Sequence, residues 1–359
     1  MTSDPTNNTP PLDPRDTWAR LRILDANANR ASEGLRVVEE YVRFQLADPY
    51  LSRELKQARH DLAVALETLP LAERLAARDT PGDVGTRITT ATEGIRESVE
   101  QVVAANLERV EQALRCLEEY AKGYRPSLAV AAESIRYRTY RLAQTVVRRP
   151  EALRRLTDAR LYVLLDGGAD EASFARLAES LVAAGVDILQ LRDKRLDDRD
   201  LIARARRLRT ITRGTSTLFV MNDRPDLATL SDADGVHVGQ EELSVADVRR
   251  IVGANMLIGV STHAPDQARA ATLDGADYLG CGPTFPSSTK QFESFPGLDY
   301  LKQVAAEIGL PAFAIGGITL ERLPEVLATG VRRIAVSGAV TQAADPVAAA
   351  KQLAARLRA

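Results

Sequence analysis

The sequence predicts two regions of different fold class, an all-α helical domain over residues 17–150 and an α/β region, a (β/α)8 TIM barrel, over residues 155–359. Three observations support this division. Apolar residues recur at helical spacing up to about residue 148, and a segment of that half is repeated. From Arg160 onward, short apolar runs alternate with amphipathic stretches. A chain of 359 residues is also long enough for two domains.

The start of the chain, residues 1–16, is rich in Pro, Thr, Asn and Asp and has no apolar stretch. We therefore expect a disordered tail rather than a signal peptide. No run approaches the roughly 20 apolar residues that a transmembrane helix needs. The formal net charge of −2 gives no basic field for nucleic acid or a membrane surface, and the two cysteines lie far apart in sequence. These features are typical of a cytoplasmic protein without a disulfide framework.

Four helical stretches are predicted in the first half from the spacing of their apolar residues: Trp18–Leu46, Ser52–Leu69, Ile95–Tyr120 and Ala131–Val147. The segment Asp79–Thr86 contains Pro and Gly and is predicted to be an irregular loop. Within this half, Asn27–Tyr41 matches Asn106–Tyr120 at a constant offset. Such a repeat predicts two similar helical hairpins related by a pseudo-two-fold axis.

The second half contains eight strand candidates, and each is followed by a helix candidate such as Glu171–Ala184 or Leu298–Ile308. Eight such units in about 200 residues is near the lower size limit of a (β/α)8 barrel. A doubly wound open sheet is the alternative, but the first strand ends in Asp166–Ala169, which lacks its glycine fingerprint. We expect the domain boundary near Arg148–Ala159, where Pro150 should interrupt two helical segments. The strand candidates are Leu161–Leu165, Asp187–Leu191, Thr217–Met221, Gly235–Val238, Leu257–Val260, Tyr278–Cys281, Ala312–Ile315 and Arg333–Val336.

Polar clusters follow seven of these strands, at the carboxyl ends where barrels of this class carry their chemistry. Glycines after strands seven and eight would let backbone N–H groups approach a phosphate, with a helix N-terminus beside them. Singly, a Gly-Gly pair is also a common turn, but here both loops match. The clusters are Gln190–Lys194, Asn222–Arg224, His237–Glu242, Ser261–His263, Gly282–Lys290, Gly316–Gly317 and Ser337–Gly338.

Cations and carboxylates within these clusters suggest a second anion site that includes a metal ion. Carboxylates beside phosphate-binding cations are typical of Mg²⁺ held by one or two side chains and by phosphate oxygens. Taken singly, each residue also has a plain interpretation, such as a helix cap, an exposed acid or a loop lysine. The residues are Arg192, Lys194 and Lys290, with the hydroxyls of Ser287 and Thr289 and the carboxylates of Asp223 and Glu242.

The two histidines of the second half, His237 and His263, are weaker candidates for catalysis. His237 lies inside a strand, where we expect an inward or structural position. The sequence has no Ser-His-Asp order, no metal-binding histidine pair and no setting for a reactive cysteine. The chemistry of the barrel is therefore not expected to use a protein nucleophile.

Taken together, these motifs resemble those of the thiamine phosphate synthase family, in order and with compatible spacing over the whole second half. That family joins hydroxymethylpyrimidine diphosphate to hydroxyethylthiazole phosphate and releases diphosphate. The matching segments read Gln-Leu-Arg-Asp-Lys at 190–194, Asn-Asp-Arg at 222–224, Asp-Gly-Val-His-Val-Gly-Gln-Glu at 234–241, Gly-Val-Ser-Thr-His at 259–263, Gly-Pro-Thr-Phe-Pro-Ser-Ser-Thr-Lys at 282–290 and Ile-Gly-Gly-Ile at 315–318.

The resemblance implies a role for each matching position, with Arg192, Lys194 and Lys290 as the catalytic cations. Ser261 would lie near the pyrimidine, and Asp223 and Glu242 would bind Mg²⁺. Glu242 stands where the family often has Asp, and its longer side chain would still reach the ion. The remaining roles are diphosphate binding by Gln190, Arg192, Lys194, Asn222 and Lys290, contacts flanking the diphosphate by Ser287 and Thr289, and thiazole phosphate binding by Gly317 with the Ser337–Gly338 loop.

The helical half resembles a domain fused to some of these synthases and associated with hydroxymethylpyrimidine phosphate kinase activity. The resemblance is carried by Arg22–Glu40 and the Asp79–Thr86 loop, although no P-loop or protein-kinase signature is present. ATP would then be a further small-molecule partner. A helical oligomerisation or regulatory module is the alternative, and a homo-oligomer stays open. For the barrel, the alternatives are a thiazole tautomerase and a non-catalytic sensor of thiamine precursors.

Overall fold

The computed structural model describes residues 14–87, 95–286 and 296–359. The chain divides into two compact units. One comprises residues 1–45 with 51–143, and the other comprises residues 46–50 with 144–359. The division falls within helix α5, Pro126–Leu156.

Helices account for nearly all the regular structure before residue 157. α1 begins at Pro14, inside the segment assigned above to a tail, because proline and an acidic first turn favour a helix start. α3 was not predicted from the sequence. α5 continues through Pro150, so the expected interruption there is wrong, since a proline can kink a helix without ending it. The elements are α1 (Pro14–Phe44), α2 (Pro49–Leu66), α3 (Leu71–Ala77), a 3-10 turn (Val84–Arg87), α4 (Val99–Ala121) and α5.

The internal repeat is visible in the contacts of α1 and α4. Asn27 Nδ2 and its equivalent Asn106 Nδ2 each donate to the carbonyl four residues earlier, both at 2.8 Å. The buried Glu39 and its equivalent Glu118 each accept a hydrogen bond from an arginine of the next helix, at 3.0 Å. These paired contacts confirm two similar halves.

The second unit is a closed barrel of eight parallel strands in sequence order, as predicted. Strand boundaries agree with the sequence analysis to within two residues. The strands are β1 (Leu161–Leu165), β2 (Ile188–Leu191), β3 (Leu218–Asn222), β4 (Gly235–Val238), β5 (Leu257–Thr262), β6 (Tyr278–Cys281), β7 (Ala312–Ile315) and β8 (Ile334–Val336). The helices are α6 (Glu171–Ala183), α7 (Asp198–Thr212), α8 (Pro225–Leu230), α9 (Val245–Val252), α10 (Pro265–Leu273), α11 (Gly297–Glu307), α12 (Leu323–Ala328), α13 (Gly338–Thr341) and α14 (Pro346–Arg358).

The amino ends of the strands are fixed by apolar packing and by a repeated carboxylate contact. Ala152 and Leu156 of α5 belong to one apolar cluster with strand residues such as Tyr162 and Phe313. An aspartate before β2, β4 and β6 accepts a hydrogen bond from the backbone near the start of the preceding strand, within 2.9 Å. This end of the barrel is therefore structural, and the carboxyl ends of the strands are left for binding.

Candidate active site

Asp223, directly after β3, has a backbone conformation that is rare for a residue other than glycine, with φ of 59°. Its N–H donates to the carbonyl of His237 at 2.8 Å, which holds it beside β4. Strained backbone of this kind is often found at functional sites, where the surrounding structure maintains it. Here the strain directs a carboxylate at the mouth of the barrel.

The Asp223 carboxylate lies among charges of both signs. Its side chain is 23% exposed, and Lys194 Nζ lies 3.6 Å from Oδ2. Burial and then the negative charge of Glu242 raise the pKa of Asp223, whereas Lys194, Asn222 and Arg192 act to lower it. Two carboxylates that repel each other beside cations are a donor set suited to a hard divalent ion.

Glu242 lies close to the backbone of the loop after β4. A Cβ atom added to Gly239 would lie 2.4 Å from Glu242 Oε2, so the carboxylate occupies the space that a side chain there would fill. Within the described residues no cluster of three or more His, Cys, Asp or Glu side chains could hold a metal ion.

Asp193 organises the loop that carries Arg192 and Lys194. Its side chain is 1% exposed and accepts hydrogen bonds from the backbone N–H groups of Gly167, Arg195 and Leu196, at 2.7 to 3.2 Å. Burial opposes ionisation, but these contacts and the Arg195 guanidinium hold the pKa of Asp193 well below its usual range. The sequence analysis gave Asp193 no role. The signal available in the sequence was its position between Arg192 and Lys194.

A chain of hydrogen bonds crosses the interior of the barrel and ends at Ser261. Gln190 Nε2 donates to the Tyr162 hydroxyl at 2.7 Å, and the hydroxyls of Tyr162 and Tyr278 lie 3.2 Å apart. The Tyr278 hydroxyl lies 3.2 Å from His237 Nδ1, and His237 Nε2 lies 2.9 Å from Ser261 Oγ. His237 thus has the inward position expected from its place in β4.

Two glycines on neighbouring strands make room for this chain. A Cβ atom at Gly259 would lie 2.1 Å from the Tyr278 ring and 2.5 Å from His237 Nδ1, and one at Gly280 would lie 3.1 Å from the His237 ring. Burial, with the nearby positive charge of Arg192, lowers the pKa of His237 to about 4. The imidazole is therefore neutral near pH 7. Glycines facing a histidine on adjacent strands were the signal that could have revealed this network.

The loops after β6 and β7 are joined by backbone hydrogen bonds. Thr284 N donates to Ile315 O at 2.8 Å and Phe285 N donates to Gly316 O at 3.0 Å. Gly317 has φ of 64°, and a Cβ there would lie 3.0 Å from Pro286 O. This position therefore requires glycine, because the backbones of the two loops approach closely.

The loop after β8 lies beside the loop after β7, because Ile315 of β7 pairs with Ala335 of β8. Ser337 precedes the short helix α13, and its hydroxyl donates to Leu164 O at 3.2 Å. The contribution of Ser337 and Gly338 to an anion site would therefore come from backbone N–H groups. Ser287, Thr289 and Lys290 lie outside the described residues.

The structure thus brings Arg192, Lys194, Asn222, Asp223 and Glu242 together, and it connects Gln190 with Ser261 through the barrel interior. Gly317 and the Ser337–Gly338 loop lie on the adjacent strands β7 and β8. No helix in the described ranges combines the length and the apolar character needed to cross a bilayer.

The closed barrel, with cations and carboxylates at the carboxyl ends of its strands, defines the class of phosphate-binding (β/α)8 proteins. Comparison with known families narrows this class. Residues 161–340 match the family described as thiamine monophosphate synthase, and residues 22–145 match the ThiD2 family. The chain is 49% identical over 331 residues to a thiamine-phosphate synthase from Rhodopirellula baltica, covering 89% of this chain and 88% of that protein. It belongs to the thiamine phosphate synthase family.

Further relatives agree. A thiamine-phosphate synthase from Gloeobacter violaceus is 45% identical over 91% of this chain and 93% of its own length. Among solved structures, the thiamine phosphate pyrophosphorylase from Pyrococcus furiosus is 32% identical, with a TM-score of 0.51. It covers 56% of this chain and 96% of that structure. The match to that structure extends over about the length of a barrel, whereas the two curated relatives extend across both units.

Proposed function

We propose that the mouth of the barrel joins hydroxymethylpyrimidine diphosphate to hydroxyethylthiazole phosphate, giving thiamine phosphate and diphosphate. Family membership makes thiamine phosphate synthesis the activity of this chain. The observation that carries the assignment of the site is the convergence of Arg192, Lys194 and Asp223 at the ends of β2 and β3.

The diphosphate would be bound by residues from the first three strand ends and from the loop after β6. Guanidinium and ammonium groups bind phosphate oxygens by charge-assisted hydrogen bonds. Ser287 and Thr289 would flank the same group with their hydroxyls. The proposed diphosphate ligands are Gln190, Arg192, Lys194, Asn222 and Lys290.

Departure of the diphosphate leaves positive charge on the pyrimidine methylene carbon, which the aminopyrimidine ring delocalises. The main task of the protein is then to stabilise the charge that develops on the leaving group, which Arg192, Lys194 and Lys290 do by electrostatics. The thiazole nitrogen attacks the methylene carbon, and anchoring by its phosphate keeps it close. This route requires no protein nucleophile.

We place the thiazole phosphate on the backbone of the loops after β7 and β8. Gly317 has a left-handed backbone conformation, and no Cβ fits between its loop and Pro286. A phosphate approaching this backbone would meet N–H groups of Gly317, Ser337 and Gly338. The Ser337 hydroxyl donates to the Leu164 carbonyl, so this side chain stabilises the conformation of the loop.

Mg²⁺ is the proposed cofactor, and Asp223 and Glu242 are its proposed protein ligands. The fit rests on the mutual repulsion of these carboxylates and on the cations beside them. When bound, the ion would neutralise charge on the diphosphate. Two carboxylates with phosphate oxygens and water match the octahedral preference of Mg²⁺ better than an all-protein site would.

The helical unit is proposed to make the substrate of the barrel by phosphorylating hydroxymethylpyrimidine phosphate with ATP. The match of residues 22–145 to the ThiD2 family supports this proposal. The equivalent glutamates of the repeat are not candidates for a ligand site. Glu39 and Glu118 are buried in ion pairs with Arg59 and Arg136, so they stabilise the helices.

The glycines of the Asp79–Thr86 loop make hydrogen bonds within the loop. Gly82 N and Gly85 N donate to the carboxylates of Asp79 and Asp83, at 3.0 and 2.9 Å, so these N–H groups shape the loop and are not free to bind phosphate. Arg22 Nη2 donates to Asp79 O at 3.2 Å and is a better candidate for a phosphate ligand beside this loop.

The barrel assignment is tested with Lys290→Ala in the full chain, using purified pyrimidine diphosphate, thiazole phosphate and Mg²⁺. Turnover should fall by roughly 100-fold or more, as is typical when one stabilising contact to a developing anion is removed. Lys302→Ala is the matched control, because Lys302 is exposed on α11 and pairs with Asp299. Near-normal turnover of a folded Lys290→Ala protein would contradict the assignment.

The kinase proposal is tested with the same Lys290→Ala protein, supplied with ATP, Mg²⁺ and hydroxymethylpyrimidine phosphate. Because the barrel step is blocked, the pyrimidine diphosphate should accumulate. If none forms, and the unmodified chain also needs that diphosphate supplied, the helical unit is structural or regulatory.

A further inference from the structure

Each tyrosine hydroxyl proton of the polar chain inside the barrel has a partner within the chain when donation runs from Gln190 toward Ser261. Gln190 Nε2 can only donate, so it uses an acceptor lone pair of the Tyr162 hydroxyl, at 2.7 Å. The Tyr162 proton is then available for the Tyr278 oxygen 3.2 Å away. The Tyr278 proton in turn faces His237 Nδ1, also at 3.2 Å. Each hydroxyl therefore receives a hydrogen bond from one side and donates one to the other.

The imidazole of His237 transmits this direction to β5. If Nδ1 accepts a hydrogen bond from Tyr278, the ring proton resides on Nε2. Nε2 lies 2.9 Å from Ser261 Oγ and donates to it. Ser261 Oγ then accepts a hydrogen bond from the imidazole, and its own proton can be donated to a ligand at the mouth.

We propose that this hydrogen-bond chain makes Ser261 a donor toward the pyrimidine, with Tyr278 and His237 as positioning residues that act through the serine. The proposal rests on the proposed function and on the position near the pyrimidine that the family resemblance implies for Ser261. A ring nitrogen of the substrate has the lone pair that such a donor recognises, whereas an amino group does not. The chain therefore selects a substrate with an acceptor at that position.

The packing around His237 favours a role in orienting Ser261 over a purely structural role. Gly259 and Gly280 leave the space that the Tyr278 and His237 rings occupy, and a Cβ at Gly259 would collide with both rings. The network also connects Gln190 on β2 to Ser261 on β5 through residues of three other strands, β1, β6 and β4. Among the described residues, buried Gln190 Oε1 has no hydrogen-bond partner, so the first member of the chain keeps an acceptor for another group.

The test removes one hydroxyl from the middle of the chain. In Tyr278→Phe, the KM for the pyrimidine diphosphate should rise roughly tenfold, about the effect of one neutral hydrogen bond, while the KM for the thiazole phosphate stays within about twofold. Tyr300→Phe is the matched control. It also removes a buried tyrosine hydroxyl, one that donates to Thr262 Oγ1 at 2.6 Å, but it leaves the chain intact.

A double variant separates positioning from a general loss of stability. If Tyr278 acts through Ser261, then Tyr278→Phe should add little to the KM effect of Ser261→Ala, and the double variant should match the serine variant alone. Additive effects, or an equal rise for Tyr300→Phe, would overturn the proposal.

The tautomer of His237 gives a readout independent of activity. With three histidines in the chain, nitrogen-15 NMR can assign the ring, and the full chain should show Nε2 protonated and Nδ1 bare near pH 7. Tyr278→Phe should weaken that preference. A proton found on Nδ1 in the unmodified chain would overturn the inference while leaving synthase activity intact. Absence of synthase activity in the unmodified chain would instead contradict the proposed function.

Discussion

At the scale of single residues, the mouth of the barrel contains features that are unfavourable for the fold itself. Asp223 has a left-handed backbone conformation, and burial and Glu242 disfavour its charge. The sequence could predict that Asp223 follows a strand and faces cations. It could not predict the backbone strain, because the conformation of Asp223 is accompanied by a hydrogen bond to His237, which is distant in sequence and lies on the neighbouring strand.

Replacing Asp223 with glycine should therefore stabilise the barrel while removing activity. Glycine accepts φ of 59° without strain, so the free energy of unfolding should rise by about 1 kcal/mol, as measured by urea titration. Turnover should fall sharply, and the Mg²⁺ concentration needed for residual activity should increase. Asp232→Gly is the matched control, because Asp232 has φ of 56° on the exposed end of α8 and should leave turnover unchanged. Full activity of Asp223→Gly would remove Asp223 from the site.

His237 should make the stability of the barrel depend on pH. Its pKa in the folded chain, about 4, lies below the usual value of 6.5, so the folded state favours the neutral ring. The resulting stability is fully present above about pH 6.5 and is lost as the pH falls toward 4. Its size should be on the order of 2 kcal/mol, after allowing for partial exposure of the ring. Between pH 7 and pH 4, the free energy of unfolding should decrease less for the His237→Asn protein than for the unmodified chain. Equal decreases would contradict this account.

At the scale of secondary structure, strands were predicted well because each is a short apolar run, and a polar cluster follows seven of the eight. The register confirms why those clusters meet, since parallel neighbours place their carboxyl ends together. Helix α3 was missed because Leu71–Ala77 is too short for a clear period. The hydrogen-bond chain through Tyr162 and Tyr278 was missed because contacts across a barrel interior leave no local pattern.

The contact of α1 with α4 provides a test at this scale. Gly34 corresponds to Ala113 in the repeat, yet a Cβ at Gly34 would lie 2.6 Å from Val110 Cγ2 and 3.2 Å from Asn106 O. Gly34→Ala should lower the free energy of unfolding of the helical unit by about 1–3 kcal/mol, despite its better helix propensity. Circular dichroism during urea unfolding measures this. Adding Val110→Ala should recover part of the loss, and a stabilised Gly34→Ala protein would contradict the close packing.

At the scale of the whole chain, two units match two families in sequence order, and the curated relatives share most of this length. The resemblance of both halves was readable from sequence, because the strand-end motifs and the Arg22–Glu40 segment are continuous. The roles of individual residues in substrate binding are tested by the variants proposed above.

The most direct test of the central claim is the initial rate of thiamine phosphate formation from the two purified substrates. The claim is that cations at the barrel mouth stabilise the negative charge that develops on the departing diphosphate. The unmodified chain with Mg²⁺ should release one diphosphate for each thiamine phosphate formed, and excess chelator should stop the reaction. Arg192→Ala should lower turnover by roughly 100-fold or more, whereas Arg250→Ala, which removes an exposed arginine of α9, should not. Undiminished turnover in a folded Arg192→Ala protein, or no thiamine phosphate from the unmodified chain, would contradict the account.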